Sequence, residues 1–108
     1  MPALELTDAT WDDAVLESEV PVLVDCWAPW CAPCKKVSPV VESLGERHMG
    51  KLVAAKLDVD EHPASAQRYD VLSLPTLIVF KGGEPVERLH GAVSEKKLEK
   101  ALSKHLGD

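Results

Sequence analysis

Val20-Pro21-Val22-Leu23-Val24-Asp25-Cys26-Trp27-Ala28-Pro29-Trp30-Cys31-Ala32-Pro33-Cys34-Lys35 is the stretch whose reading decides the fold. Its first half, Val20 to Trp27, is nearly continuous in apolar residues, as a strand covered on both faces should be. Its second half opens a helix: Val37, Val40, Val41 and Leu44 recur on one helical face. Cys31 and Cys34 sit at the junction. A thiol near a helix start is favoured as thiolate by unpaired backbone N–H groups and the helix dipole. Cys31, at the start, is placed to attack a disulfide. Cys34, one turn further and deeper, is placed to resolve the product. The pair therefore points to thiol–disulfide exchange. Chance spacing and half of a zinc site are the other readings of a CxxC.

Outward from this junction the elements alternate. Ala3 to Leu6 is a short first strand. Thr7 to Thr10 offers capping residues before Trp11, Ala14 and Val15 at helical spacing. Pro39 lies inside the helix that follows the cysteines and should kink it, and Gly50 is its terminator. Leu52 to Val59 is a third strand, and Pro63 to Tyr69 a short helix with proline near its start. Thr76 to Phe80 and Val86 to Leu89 flank Lys81-Gly82-Gly83-Glu84, a hairpin signal because both glycines accept positive φ. Ser94 caps a last helix with Leu98, Ala101, Leu102 and Leu106 on one side. The order β-α-β-α-β-α-β-β-α predicts an α/β fold. The βαβ part demands parallel pairing, and the hairpin adds antiparallel strands. Helices then cover both faces of a mixed sheet.

The chain has 108 residues, enough for a single domain over 1–108 with a core that needs no disulfide staples. A net charge of −6 argues against nucleic acid and against anionic membrane surfaces, which favour basic patches. No run approaches the roughly 18 apolar residues of a membrane span. Met1 to Thr10 has no basic region followed by an apolar stretch, so a cytoplasmic location is expected. There a CxxC is more often catalytic or metal-binding than structural.

Cys26, Cys31 and Cys34 read C-x4-C-x2-C, the beginning of an iron–sulfur spacing that has no fourth cysteine here. A zinc site would need one of His48, His62, His90 or His105, none in a matching motif. Cys26 lies mid-strand, where a free cysteine behaves as a small buried hydrophobe, so no metal is assigned. Asp25 breaks the apolar run, and strand alternation turns it away from Cys26. Buried, it would have a raised pKa and could take the proton of Cys34 from beneath. Lys56, in Val53-Ala54-Ala55-Lys56-Leu57, could offset its charge. The alternative leaves both residues at exposed strand ends. Pro75 after Leu74 is a candidate cis bond, although few X–Pro bonds are cis.

At this point the chain resembles the thioredoxin family over nearly its whole length. The resemblance rests on Asp25, Trp27-Ala28-Pro29-Trp30-Cys31, Pro33-Cys34-Lys35, Pro39, Lys56, Asp58, Asp60, Leu74-Pro75-Thr76, Phe80-Lys81, Gly83 and Gly91. It implies the thioredoxin fold, a central five-stranded mixed sheet flanked by four helices. It implies protein disulfide reductase activity, with Cys31 and Cys34 as the redox-active disulfide and as catalytic residues. Asp25 and Lys56 would be the proton-transfer pair, and Pro75 would be cis and face the cysteines. Trp30, Ala32, Pro33, Leu74, Pro75, Gly91 and Ala92 would form the collar that docks an extended client strand. The implied electron donor is thioredoxin reductase, an NADPH-dependent flavoprotein. Its cofactors belong to the reductase, and this chain needs none. The partners are diverse disulfide-bearing clients, and the protein is expected to be a monomer.

Three positions depart from the family pattern. Ala32 stands where glycine is usual. Its methyl stiffens the loop by roughly 0.4–1 kcal/mol if φ is negative, a shift of at most a few tens of millivolts at about 30 mV per 1.4 kcal/mol. Cys26 stands where phenylalanine is common, leaving core volume to fill. His90 precedes Gly91 where an apolar or small residue is usual. It is either a group near the cysteines that makes their chemistry pH-dependent or a solvent-facing strand-end histidine. Two rival functions use the same residues: a non-catalytic binding module, for which Cys31→Ser/Cys34→Ser is harmless, and an oxidase or isomerase running the chemistry in reverse.

Overall fold

Strand β2 (Val22–Trp27) occupies the centre of the sheet and is buried at almost every residue. The computed structural model describes residues 3–107; Met1, Pro2 and Asp108, part of the expected 1–108 domain, lie outside the described residues. β1 (Leu4–Leu6) and a wide helical turn (Asp12–Leu16) precede β2. α1 (Ala32–Arg47), β3 (Val53–Asp58), α2 (Pro63–Arg68), β4 (Thr76–Lys81), β5 (Glu84–His90) and α3 (Glu95–Ser103) follow it. The sheet order is β1-β3-β2-β4-β5. β1 and β2 run parallel to β3, while β2–β4 and β4–β5 are antiparallel. The expected five-stranded mixed sheet with four helical segments is what forms.

Alternation along β2 builds two cores. Val22, Val24 and Cys26 face Trp11, Val15, Ala66, Ile78 and Phe80. Leu23 faces Val37, Val41 and Leu44 of α1 with Leu98 and Leu102 of α3. The first core contains an aromatic triad. Phe80 meets Trp11 and Tyr69 edge-on, at centroid distances of 5.4 and 5.0 Å, geometries that aromatic quadrupoles favour. Cys26 sits in the same cluster, but the register pairs Phe80 with Val22, four residues along β2 from Cys26.

Local chemistry explains the element ends. The expected helix around Trp11 is only one wide turn, closed by Glu17 N–H donating to the Asp12 carbonyl five residues back, at 3.0 Å. Pro21, at the mouth of β2, has no N–H to continue it. α1 stops at Arg47, three residues before the expected terminator; Gly50 takes φ +88° in the turn beyond. Gly82 and Gly83 form the hairpin turn with φ of +62° and +82°. Pro85 is accommodated in edge strand β5, beside a register irregularity at Val79/Phe80. Ser94 Oγ accepts the Lys97 N–H at 3.2 Å and caps α3 as expected.

Gly45 lets α1 pack close on β3: a Cβ built there would lie 2.6 Å from the Ala54 Cβ. Gly45→Ala should gain about 1 kcal/mol of helix propensity and lose more to overpacking, which typically costs about 1–3 kcal/mol. Urea unfolding should show a net loss that Gly45→Ala/Ala54→Gly recovers; a more stable single variant would contradict the contact. Cys26 is 1% exposed, and burial together with the neighbouring Asp25 charge pushes its thiol up to about 12. In the reduced folded protein, iodoacetamide should therefore modify the N-cap thiolate Cys31 within minutes and spare Cys26 until denaturant is added.

Candidate active site

Ala28 to Cys31 carry the chain from β2 into α1. Cys31 is the N-cap of α1, with extended backbone, and its Sγ accepts the Cys34 N–H at 3.2 Å. A sulfur at this position answers one of the unpaired donors of the first turn. Pro33 falls in that turn, where a missing N–H is tolerated. Cys31 and Cys34 are joined as a disulfide with Cα atoms 5.4 Å apart. Both are nearly withdrawn from solvent, at 4% and 2% exposure, so in this oxidised form their depth hardly differs. Ala32 and Pro33 are exposed above them. Ala32 adopts no positive φ, so its methyl is accommodated without strain. Trp30 is 70% exposed and is held at one edge, its indole N–H donating to Asp60 Oδ2 at 2.8 Å.

The sheet register brings the remaining collar residues to the same end. β2 and β5 both run antiparallel to β4. The C-terminal ends of β2 and β5 therefore lie beside the N-terminal end of β4. Cys26 and His90 both pair with Thr76, the first residue of β4. Pro75 lies one residue before it, buried, after a cis Leu74–Pro75 bond. The Gly91 N–H donates to the Pro75 carbonyl at 3.0 Å, tying the turn after β5 to this loop. Leu74 is half-buried and Ala92 exposed. His90 is solvent-facing at the end of β5, its Nδ1 3.2 Å from the Thr76 hydroxyl, as the strand-end alternative expected.

Asp25 lies beneath the cysteines at 1% exposure, not at an exposed strand end. Lys56 is its direct neighbour across β2–β3 and is half-buried, with Nζ 5.6 Å from the Trp27 ring centroid. A cleft of about 300 Å³ opens here, lined by Trp27, Cys34, Ser38, Pro39, Glu42 and Lys56 among others. Burial raises the Asp25 pKa to about 6; the Ser38 hydrogen bond and Lys56 oppose the rise, and Glu42 adds to it. A carboxyl in this range exchanges protons near neutrality. Ser38 was not singled out in the sequence. Its hydroxyl donates to Asp25 Oδ2 at 2.9 Å. The available signal was its position four residues after Cys34, on the same helical face.

Cys26 turns to the opposite face of the sheet from Asp25 and cannot complete a three-cysteine cluster. No group of three or more His, Cys, Asp or Glu side chains among the described residues is arranged to hold a metal ion. No helix among them is long and apolar enough to cross a membrane.

Comparison with known proteins supplies an independent line. The thioredoxin family profile matches residues 2–104. The chain is 47% identical to Thioredoxin 1 of Nostoc sp. over 104 residues, covering 96% of this chain and 97% of that protein. It is 49% identical to a thioredoxin of Staphylococcus aureus over 106 residues, covering 98% and 100%. It is 45% identical to the chloroplastic M-type thioredoxin of Spinacia oleracea over 102 residues, covering 94% of this chain and 56% of that one.

The raised Asp25 pKa sets a pH dependence of stability. An aspartate free in solution ionises at 3.8, and this one ionises at about 6 in the fold. Between these values the folded state holds a proton that the unfolded state has released. Stability therefore falls as pH rises through this window, and the penalty is complete above about pH 6. Asp25→Asn should stabilise the oxidised protein by about 3 kcal/mol at neutral pH, with the gain vanishing by about pH 4. Urea melts of both proteins across this range would read it; a pH-independent difference would count against a buried, titrating carboxylate.

Proposed function

The chain belongs to the thioredoxin family and is a protein disulfide reductase working by thiol–disulfide exchange; from that premise we propose that Cys31 attacks, Cys34 resolves, and Asp25 with Lys56 handles the proton. The observation that carries the reading is the N-cap contact, with Cys31 Sγ accepting the Cys34 N–H. The same contact made to a thiolate is charge-assisted and roughly twice as strong.

In the reduced protein the Cys31 thiolate attacks one sulfur of a client disulfide. The client S–S bond breaks, one client thiolate leaves, and a mixed disulfide joins Cys31 to the client. Cys34 then gives its proton to the Asp25 carboxylate, which is hydrogen-bonded to Ser38 behind the cleft that Cys34 and Ser38 line. The Cys34 thiolate attacks Cys31 Sγ, and the second client thiolate leaves and takes up a proton. Two electrons have passed to the client, and the Cys31–Cys34 disulfide remains. Lys56 keeps the Asp25 charge tolerable without capturing it in a tight ion pair. Such a pair would hold the carboxylate too weakly basic to act.

Clients are disulfide-bearing proteins. The proposed docking surface is the collar of Trp30, Ala32, Pro33, Leu74, Pro75, Gly91 and Ala92, which receives an extended client segment. Backbone pairing along Leu74 would give affinity with little demand on sequence. The exposure of Trp30 supports an apolar contact there. The reading includes regeneration by an NADPH-dependent flavoprotein reductase, action as a monomeric single domain, and a cytoplasmic location where thiols are kept reduced.

Cys34→Ser should accumulate mixed disulfides through Cys31 when exposed to cell extract. Mass spectrometry should find the linkage at Cys31, and Cys31→Ser/Cys34→Ser should find none. Absence of trapped protein, or trapping that survives loss of both cysteines, would overturn the assignment of Cys31 as the attacking group.

A further inference from the structure

We propose that Ser38 is a positioning residue whose hydroxyl changes partner with the proton on Asp25, donating to the carboxylate when it is ionised and to the Cys34 carbonyl when it is protonated. This rests on the reading of Asp25 as the group that takes the Cys34 proton. Ser38 lies four residues after Cys34, and its Oγ is 3.2 Å from the Cys34 carbonyl oxygen. Serine in a helix commonly makes this backward bond. The same Oγ is 2.9 Å from Asp25 Oδ2. A hydroxyl has one proton and two lone pairs, so it serves both neighbours fully only if one of them supplies a proton.

The protonation state of Asp25 makes that choice. An ionised carboxylate can only accept, so Ser38 must donate to it. A protonated carboxyl can donate to Ser38 Oγ, freeing the hydroxyl proton to turn to the Cys34 carbonyl. Asp25 Oδ1 has no hydrogen-bond partner among the described residues, so Ser38 is the donor on which the buried charge relies. The other groups around Asp25 are Lys56 on β3, Glu42 one turn beyond Ser38, and the thiol of Cys34 when reduced. β4 presents only the apolar Leu77 at the paired position. Ser38 thus sets how readily Asp25 ionises, and so the pH range in which Asp25 can receive the Cys34 proton.

Carboxyl ¹³C NMR of Asp25 in Ser38→Ala and Ser38→Thr tests this. Loss of a donor to a buried charge should raise the proton affinity of Asp25 at least about tenfold, moving its midpoint from about 6 to about 7 or above. Ser38→Thr, which keeps the hydroxyl, should restore it. The pH profile of single-turnover resolution of a Cys31 mixed disulfide should move with the titration. A folded Ser38→Ala protein with an unmoved midpoint overturns the proposal, even if it melts at lower temperature. Asp25→Asn separates the two readings. If it leaves the resolution profile unchanged, the role of Asp25 fails, and the NMR midpoint still decides that of Ser38.

Discussion

β2 carries side chains into two cores at once, and that constraint organises the molecule. A strand covered on both faces must be almost wholly apolar. Any polar residue in it is buried by position, whatever its chemistry. Val22, Val24 and Cys26 complete one core and Leu23 the other. Asp25 falls on the second side because it follows Val24, and it is held at 1% exposure. The end of the same strand launches α1, so the packing that buries Asp25 also fixes where Cys31 and Cys34 emerge.

Placing a carboxylate there costs stability and brings its pKa close to neutrality. Desolvation raises the Asp25 pKa, while Ser38 and Lys56 limit the rise. Fully neutralised, Asp25 would accept a proton only weakly; wholly unassisted, it would stay protonated at neutral pH. The same desolvation acts on Cys26, one residue on. With apolar surroundings and the Asp25 charge nearby, its thiol is suppressed. The same upward push leaves a carboxyl that starts at 3.8 close to neutrality and carries a thiol that starts at 9.0 far above it, so one of two adjacent ionisable residues can exchange protons and the other is inert.

The reactive tip follows a different rule. Cys31 is an N-cap and Cys34 lies in the first turn. What distinguishes them is helix geometry, since burial in the oxidised form is nearly equal. Around the tip, the antiparallel pairing of β4 with both β2 and β5 gathers Pro75, Gly91 and the cysteine loop at one end of the sheet. Glycine at 91 meets a local demand, φ of +82°, at the turn whose N–H reaches the Pro75 carbonyl.

Much of this was written in local pattern. The apolar run of β2, the helical spacing of Val37, Val41 and Leu44, the Gly82-Gly83 turn and the Ser94 cap each depend on near neighbours in the chain. They were legible, with ends off by a few residues at Asp12–Leu16 and at Gly50. The cysteine pair and its chemistry were legible for the same reason: helix starts and thiol spacing are local. Whether Asp25 and Lys56 were buried or exposed was not, because that depends on β2–β3 register and on what covers the strands. Ser38 was missed because its one local signal, the four-residue spacing from Cys34, has no meaning until the sheet behind it supplies a carboxylate at 2.9 Å. Periodicity and spacing along the chain were enough for the order of elements and the reactive pair. Which charges are desolvated, and which hydroxyl answers them, follows from the packing of the sheet against α1, because desolvation is a property of the surroundings and not of the residue.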